Sequence, residues 1–175
     1  MNRTLPKKLS LLLAGLLLPL TLLGVNASGL PSIDDQFGDV VAVEKSGSDV
    51  QVAILVSAKR LRRIKKWEQA LRERFPDLAI VRVADVPRNA PTEYAVVAEA
   101  FRKRLPPDLP VGIDLAGAWA SELQIDPAVP NVLVFAGDGE LEAVHSGMFS
   151  NALFAQAAAD IDLLIKAEAR SQETG

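Results

Sequence analysis

The chain contains no cysteine. That absence removes disulfides, thiolate nucleophiles, thiol–disulfide exchange, cysteine-ligated metals and Fe–S clusters. Histidine occurs once, as His145, so no site can rest on two imidazoles. Aromatic residues are sparse at 5%, and both tryptophans, Trp67 and Trp119, fall on apolar faces, which assigns them to the core. An excess of basic residues is also missing. Nineteen Lys and Arg stand against 22 Asp and Glu, a formal charge of −3. This excludes a generally basic nucleic-acid binder while leaving room for a local basic patch.

What is present is ordinary for a globular protein. Hydrophobic residues make up 49% of 175 and charged residues 23%, enough for one domain with a sizeable core and too apolar for disorder.

The first residues have a different character. Met1 to Lys8 carries Arg3, Lys7 and Lys8 and no acid, and Leu9 to Val25 is almost wholly apolar. Val25-Asn26-Ala27 closes the run with the small-x-small pattern of a signal-peptidase site. The run is shorter than the ~20 residues of a membrane-spanning helix, and Pro19 interrupts it. No cysteine follows, so this is not a lipoprotein signal. The expectation is a cleaved signal peptide over 1–27, a single domain over 28–175, and a periplasmic or secreted location. An uncleaved leader would instead make the protein a membrane-anchored accessory subunit.

Removing 1–27 leaves 16 bases against 22 acids, a net charge of −6. Half of those bases lie in Lys59–Arg74, a window of net +6, so the remainder stands at −12. This asymmetry is the strongest charge signal in the chain.

Periodicity supplies the elements. Asp39–Glu44 reads as a short edge strand followed by a turn at Lys45–Ser48. Val50–Ser57 is an apolar, β-branched run expected to be a buried central strand. From Leu61 the period changes, and Leu61, Ile64, Trp67, Leu71 and Phe75 form one helical stripe that Pro76 ends. Leu78–Val83 is a second buried strand, Thr92–Arg104 a helix, and Gly117–Leu123 a short helix. Asn131–Phe135 is a third buried strand. Gly137-Asp138-Gly139 makes a hairpin turn into Leu141–Ser146. Leu153, Phe154, Ala157, Ile161, Leu164 and Ile165 stripe a closing helix over Asn151–Ala169. The order predicts an α/β fold. Its mixed sheet has central parallel strands, a C-terminal antiparallel hairpin and helices on both faces.

This order, with Asp35-Gln36-Phe37-Gly38 as a lead-in and Val129-Pro130-Asn131 entering the third strand, resembles the redoxin branch of the thioredoxin-like superfamily. The likeness runs from about Pro31 to Ile165. Within that branch the chain is most similar to the cysteine-less periplasmic proteins of the YtfJ type, which share the secretory signal, the lead-in and the hairpin region. The resemblance implies a thioredoxin-like fold and a cis Val129–Pro130 bond. It carries no activity over. At the junction where redoxins place their cysteines, this chain reads Ser57-Ala58-Lys59-Arg60-Leu61-Arg62-Arg63-Ile64.

Two candidate binding sites follow. Lys59, Arg60, Arg62 and Arg63 crowd a helix start, where the dipole already favours acids, so stability alone does not account for them. They are expected to hold a small anion, a peptide or an acidic protein face. The loop at Val129 and Pro130 is the second candidate, because its backbone can pair with an extended peptide. His145 lacks a nucleophile partner. Asp138, Glu140 and Glu142 lack the spacing of a calcium loop. No catalytic residue, metal or cofactor is assigned. The expected function is a non-redox binding module, the alternative being a different enzyme in the old redoxin cleft.

The processed protein is expected to begin at Ser28. The intact mass of the protein in a periplasmic extract checks this, and a full-length mass in the membrane fraction contradicts it.

Overall fold

The apolar run after Asp49 becomes the central strand of the sheet, and each of its seven residues is buried. The computed structural model describes residues 29–45, 49–87, 89 and 93–173. The expected signal segment, the Ser28 start, the turn positions 46–48 and the start of the Thr92 helix lie outside the described residues.

Seven strands and four α-helices are found among the described residues: β1 (Ile33–Asp34), β2 (Val40–Val41), β3 (Gln51–Ser57), α1 (Lys65–Arg74), β4 (Ala79–Asp85), α2 (Tyr94–Arg104), β5 (Gly112–Asp114), α3 (Ala118–Glu122), β6 (Asn131–Phe135), β7 (Leu141–Ser146) and α4 (Asn151–Glu173). A 3-10 helix, Ala58–Ile64, joins β3 to α1. The main sheet runs β5-β4-β3-β6-β7. β3, β4 and β5 are parallel, whereas β6 is antiparallel to both β3 and β7. This is the mixed sheet expected from the sequence.

Side-chain alternation divides the core into two faces. Val52, Ile54 and Val56 of β3 point to the side covered by α1 and α4, where Trp67, Leu71, Ala157 and Ile161 are fully buried. Ala53 and Leu55 point to the opposite side, with Trp119 of α3 and with Leu30 and Ile33 of the N-terminal arm. Both tryptophans are core residues, and each indole N–H has a carbonyl acceptor: Trp67 donates to Gly147 at 3.1 Å and Trp119 to Pro31 at 2.8 Å. Helix α2 packs on the β4–β5 end through Val97, Ala98 and Phe101.

Several elements differ from the sequence reading. The expected strand Asp39–Glu44 is only Val40–Val41, because its sole partner is the two-residue β1. Ile113 and Asp114, outside every element expected above, belong to strand β5. Gly112 opens that strand, and a Cβ there would lie 2.7 Å from the Ile33 side chain, so the lead-in arm packs directly on the sheet edge. The helix expected from Leu61 begins as a 3-10 turn at Ala58 and becomes α-helical only at Lys65. Ile165, counted in the α4 stripe, is 42% exposed.

The Asp-Gln-Phe-Gly lead-in is held by specific polar contacts. The Asp35 carboxylate accepts the Phe37 and Asp39 N–H groups at 2.7 and 3.1 Å. Gln36 is fully buried; its amide donates to the Leu109 carbonyl at 2.7 Å and accepts the Val111 N–H at 2.9 Å. From α2, the Tyr94 hydroxyl donates to the Asp35 carbonyl and Arg102 donates to the Gln36 carbonyl. The arm, α2 and the loop before β5 therefore form one unit.

Gln36→Ala leaves a cavity and strips two buried backbone groups of their partners. It is expected to lower unfolding free energy by about 2–4 kcal/mol, measured by chemical denaturation at neutral pH. A change within about 0.5 kcal/mol contradicts this role.

Candidate binding groove

An arginine interrupts the apolar strand β4. Arg82 faces the same side as Ile80 and Ala84, under α1, and is only 7% exposed. A guanidinium at that depth needs a counter-charge. Glu68 of α1 provides it: Arg82 Nε donates to Oε2 at 2.9 Å and Nη2 donates to Oε1. Arg82 Nη1 also reaches the Pro110 carbonyl at 3.5 Å. Arg72, one turn along α1, donates to the same carboxylate at 3.0 Å. Burial alone would raise the Glu68 pKa. Hydrogen bonds from Arg82 and Arg72, with their charges, outweigh it and hold the carboxyl below the usual glutamate range.

Above this pair lies a groove of about 1090 Å³ between α1 and the C-terminal end of α2. Its two sides differ. The 3-10 turn and α1 contribute Lys59, Arg62, Lys65 and Arg72, the cations of one wall. Phe101, Leu105, Pro106 and Leu109 make the other wall apolar, with Arg104 at its edge. Leu61 and Ile64 extend the apolar lining. Glu68 is the one acid among the lining residues, and it is already shared between two arginines. Among the described residues Lys59, Arg62, Lys65 and Arg104 form no ion pair. The groove therefore presents five cations beside an apolar surface.

The structure separates the four bases singled out in the sequence. Lys59 and Arg62 line the groove. Arg63 turns away and donates to the Ala128 carbonyl at 2.9 Å. Arg60 is exposed and lines neither feature. Because the segment is a 3-10 turn, the bases do not surround the N-terminus of an α-helix. Lys65 and Arg72, inside the basic window but outside the four candidate residues, and Arg104, outside the window, complete the basic set. The Arg82–Glu68 pair was missed as well, although an arginine inside Leu78–Val83 is itself a signal that a buried acid lies nearby.

The loop at Val129 and Pro130 lies beside the start of the 3-10 turn, as Arg63 and the 2.7 Å bond from the Ser57 N–H to the Pro127 carbonyl show. The Val129–Pro130 bond is trans, contrary to the expected cis bond; there is no cis peptide bond among the described residues. Trans is the default for an X–Pro bond by ≈ 0.5–1 kcal/mol, and the surrounding contacts are satisfied in that form. The buried Asn131 side chain donates to the Asp126 and Val129 carbonyls, both at 2.9 Å, and accepts the Ser146 hydroxyl at 2.6 Å. The Pro130 carbonyl accepts the Gly147 N–H at 2.8 Å. The carbonyls of Ala128, Val129 and Pro130 are thus all engaged within the chain.

His145, at the end of β7, is buried with Nε2 3.0 Å from the Asp160 carboxylate of α4. Among the described residues no group of three or more His, Asp or Glu side chains is placed to hold a metal ion.

No family model matches the chain, and no curated protein matches it. Solved structures do. The pneumococcal exposed lipoprotein thioredoxin Etrx1 of Streptococcus pneumoniae superposes with a TM-score of 0.59 at 13% identity, over 74% of this chain and 98% of the other. The N-terminal domain of PilB from Neisseria gonorrhoeae gives 0.59 at 19% identity, over 79% and 91%. DsbF of MTB gives 0.55 at 13% identity, over 80% and 97%.

Since Glu68 gains its pKa shift by folding, its contribution to stability is full above the unfolded carboxyl pKa. That contribution is lost as pH falls through the lower folded value. Melting temperature should therefore fall on acidification. Glu68→Gln should be less stable at pH 7, by about 3–5 kcal/mol if the Arg82 charge is left unpaired, with a flatter acid limb. Parallel pH profiles for the two proteins contradict the assignment. Strand order, sheet polarity and these superpositions agree: the chain is a cysteine-less protein with the thioredoxin-like fold.

Proposed function

We propose that this protein is an extracytoplasmic, non-redox binding module that holds an acidic partner in the groove between α1 and α2. The observation that carries the reading is the groove's composition: five cations, one internally neutralised acid and an apolar wall. A solvated basic face would need no apolar wall beside it, and a purely apolar crevice would need no cations. Together they suit a ligand that is anionic and partly apolar.

The leader at 1–27 supports the extracytoplasmic location. Among the described residues no helix is long and apolar enough to cross a membrane, so an uncleaved leader would be the anchor in the accessory-subunit reading. The lead-in and hairpin region support placing the chain near the cysteine-less YtfJ type. The absence of cysteine supports the non-enzymatic reading, because the chemistry of the thioredoxin fold at this position is thiolate chemistry. The groove takes over two of the four bases first marked, Lys59 and Arg62. Arg63 keeps a positioning part, since it ties the turn carrying them to the Ala128 carbonyl.

Purified protein is expected to show no turnover in insulin reduction or thiol-peroxidase assays; activity proportional to protein added contradicts the reading. Affinity purification from native extract should recover an acidic partner that elutes with salt, as screening within ~8–10 Å weakens exposed charge contacts. An Arg62→Gln/Lys65→Gln variant should lose that partner with its melting temperature unchanged. Equal recovery by variant and wild type overturns the groove as the site.

A further inference from the structure

From the division of the groove into a cationic and an apolar wall, we infer that its occupant is an acidic amphipathic helix of a partner protein, lying along α1. The inference rests on the proposed groove reading and narrows its ligand.

Three features point to a helix. The groove runs beside one helix and ends against another, the setting in which an amphipathic helix inserts. Its cations follow helical spacing: Arg62, Lys65 and Arg72 lie at offsets of three and seven along one face, with Gln69 between the last two. From Lys59 to Arg72 this wall extends roughly 22 Å, at about 2.0 Å per residue through the 3-10 segment and about 1.5 Å through α1. A helix on the order of 14 residues matches that length, whereas a small anion would engage only one or two of the cations.

The wall chemistry then specifies the ligand's pattern. Acidic residues recurring every three or four positions would face Arg62, Lys65 and Arg72. Apolar residues on the adjoining stripe would face Phe101, Leu105 and Leu109. Arg104, on the apolar side, lies where an acid at the helix edge would meet it. Glu68 cannot substitute for the ligand's acids, because Arg82 holds it inward. An occupant acid near Arg72 would instead compete for a guanidinium whose side chain is 49% exposed. The groove volume of about 1090 Å³ lies above the ≈ 300–1,000 Å³ of small-molecule pockets.

The test is a display selection of random segments of about 14 residues against the full chain in its recovered, processed form. A Lys65→Glu/Arg104→Glu variant serves as counter-target. Neither residue has an ion pair among the described residues, so the variant should fold, and a thermal melt confirms it. Enriched sequences should carry Asp or Glu and apolar residues on adjacent faces at three- and four-residue spacing. A synthetic peptide of the consensus should bind at least tenfold more weakly to the variant and to wild type in high salt. A scrambled peptide of the same composition should bind at least tenfold more weakly to wild type. Acid-rich sequences without helical spacing, but still dependent on Lys65 and Arg104, overturn the helix and leave the groove reading standing. Enrichment indifferent to the variant, or none at all, overturns both. Sedimentation with phosphatidylglycerol vesicles in the absence of peptide enrichment would identify a membrane surface instead and likewise overturn the inference.

Discussion

The buried Arg82–Glu68 pair is the contact on which the proposed binding face depends. A guanidinium inside a sheet is tolerated only when a carboxylate is brought to it in good geometry. The requirement fixes both the position of α1 over β4 and its rotation about its own axis. With Glu68 turned down to the sheet and Trp67 and Leu71 in the core, one of the helix's remaining faces is turned to the groove. That face carries Lys65, Gln69 and Arg72 toward the groove. The same pair removes Glu68 from the rim, so the groove keeps its positive charge. Replacing the pair with apolar residues could preserve stability and still lose this arrangement, since buried ion pairs are weak as sources of stability and stronger as sources of geometry.

The loop around Pro130, beside the start of the 3-10 turn, is tied up by contacts within the chain. In place of a cysteine, the segment after β3 has Ala58, Lys59 and Arg60 in a 3-10 turn. Arg63 of that turn is bound to the Ala128 carbonyl, and Asn131 occupies the carbonyls of Asp126 and Val129. Backbone acceptors that an incoming peptide could use are satisfied by the chain's own side chains. In the proposed reading, recognition falls to the groove between α1 and α2 rather than to the proline loop.

Much of the fold was legible because its strongest elements are continuous apolar runs or clean helical stripes: β3, β4, β6 and α4 all lie where the sequence placed them. β1 and β5 were not legible, since strands of two and three residues carry no periodicity and are defined by their pairing, β1 with β2 and β5 with β4. The trans Val129–Pro130 bond could not be read from the residues; a family resemblance implied the opposite, and the bond takes the default isomer of an X–Pro bond. The basic cluster was visible as composition, yet its division was not. Which of Lys59, Arg60, Arg62 and Arg63 face together depends on the 3-10 winding of the turn, where side chains repeat every three residues rather than every 3.6. Arg104 and the apolar wall come from a segment about 30 to 50 residues farther along the sequence and are joined to the site only by folding.

The proposed placement of binding in the α1–α2 groove is tested most directly by mapping amide chemical shifts of the labelled protein during titration with an acidic, leucine-containing helical peptide. The expected perturbations centre on Leu61, Lys65, Arg72, Phe101 and Leu105, saturate together and diminish with salt. Perturbations centred instead on Ala128 to Asn131, with the groove residues unmoved, would contradict the account.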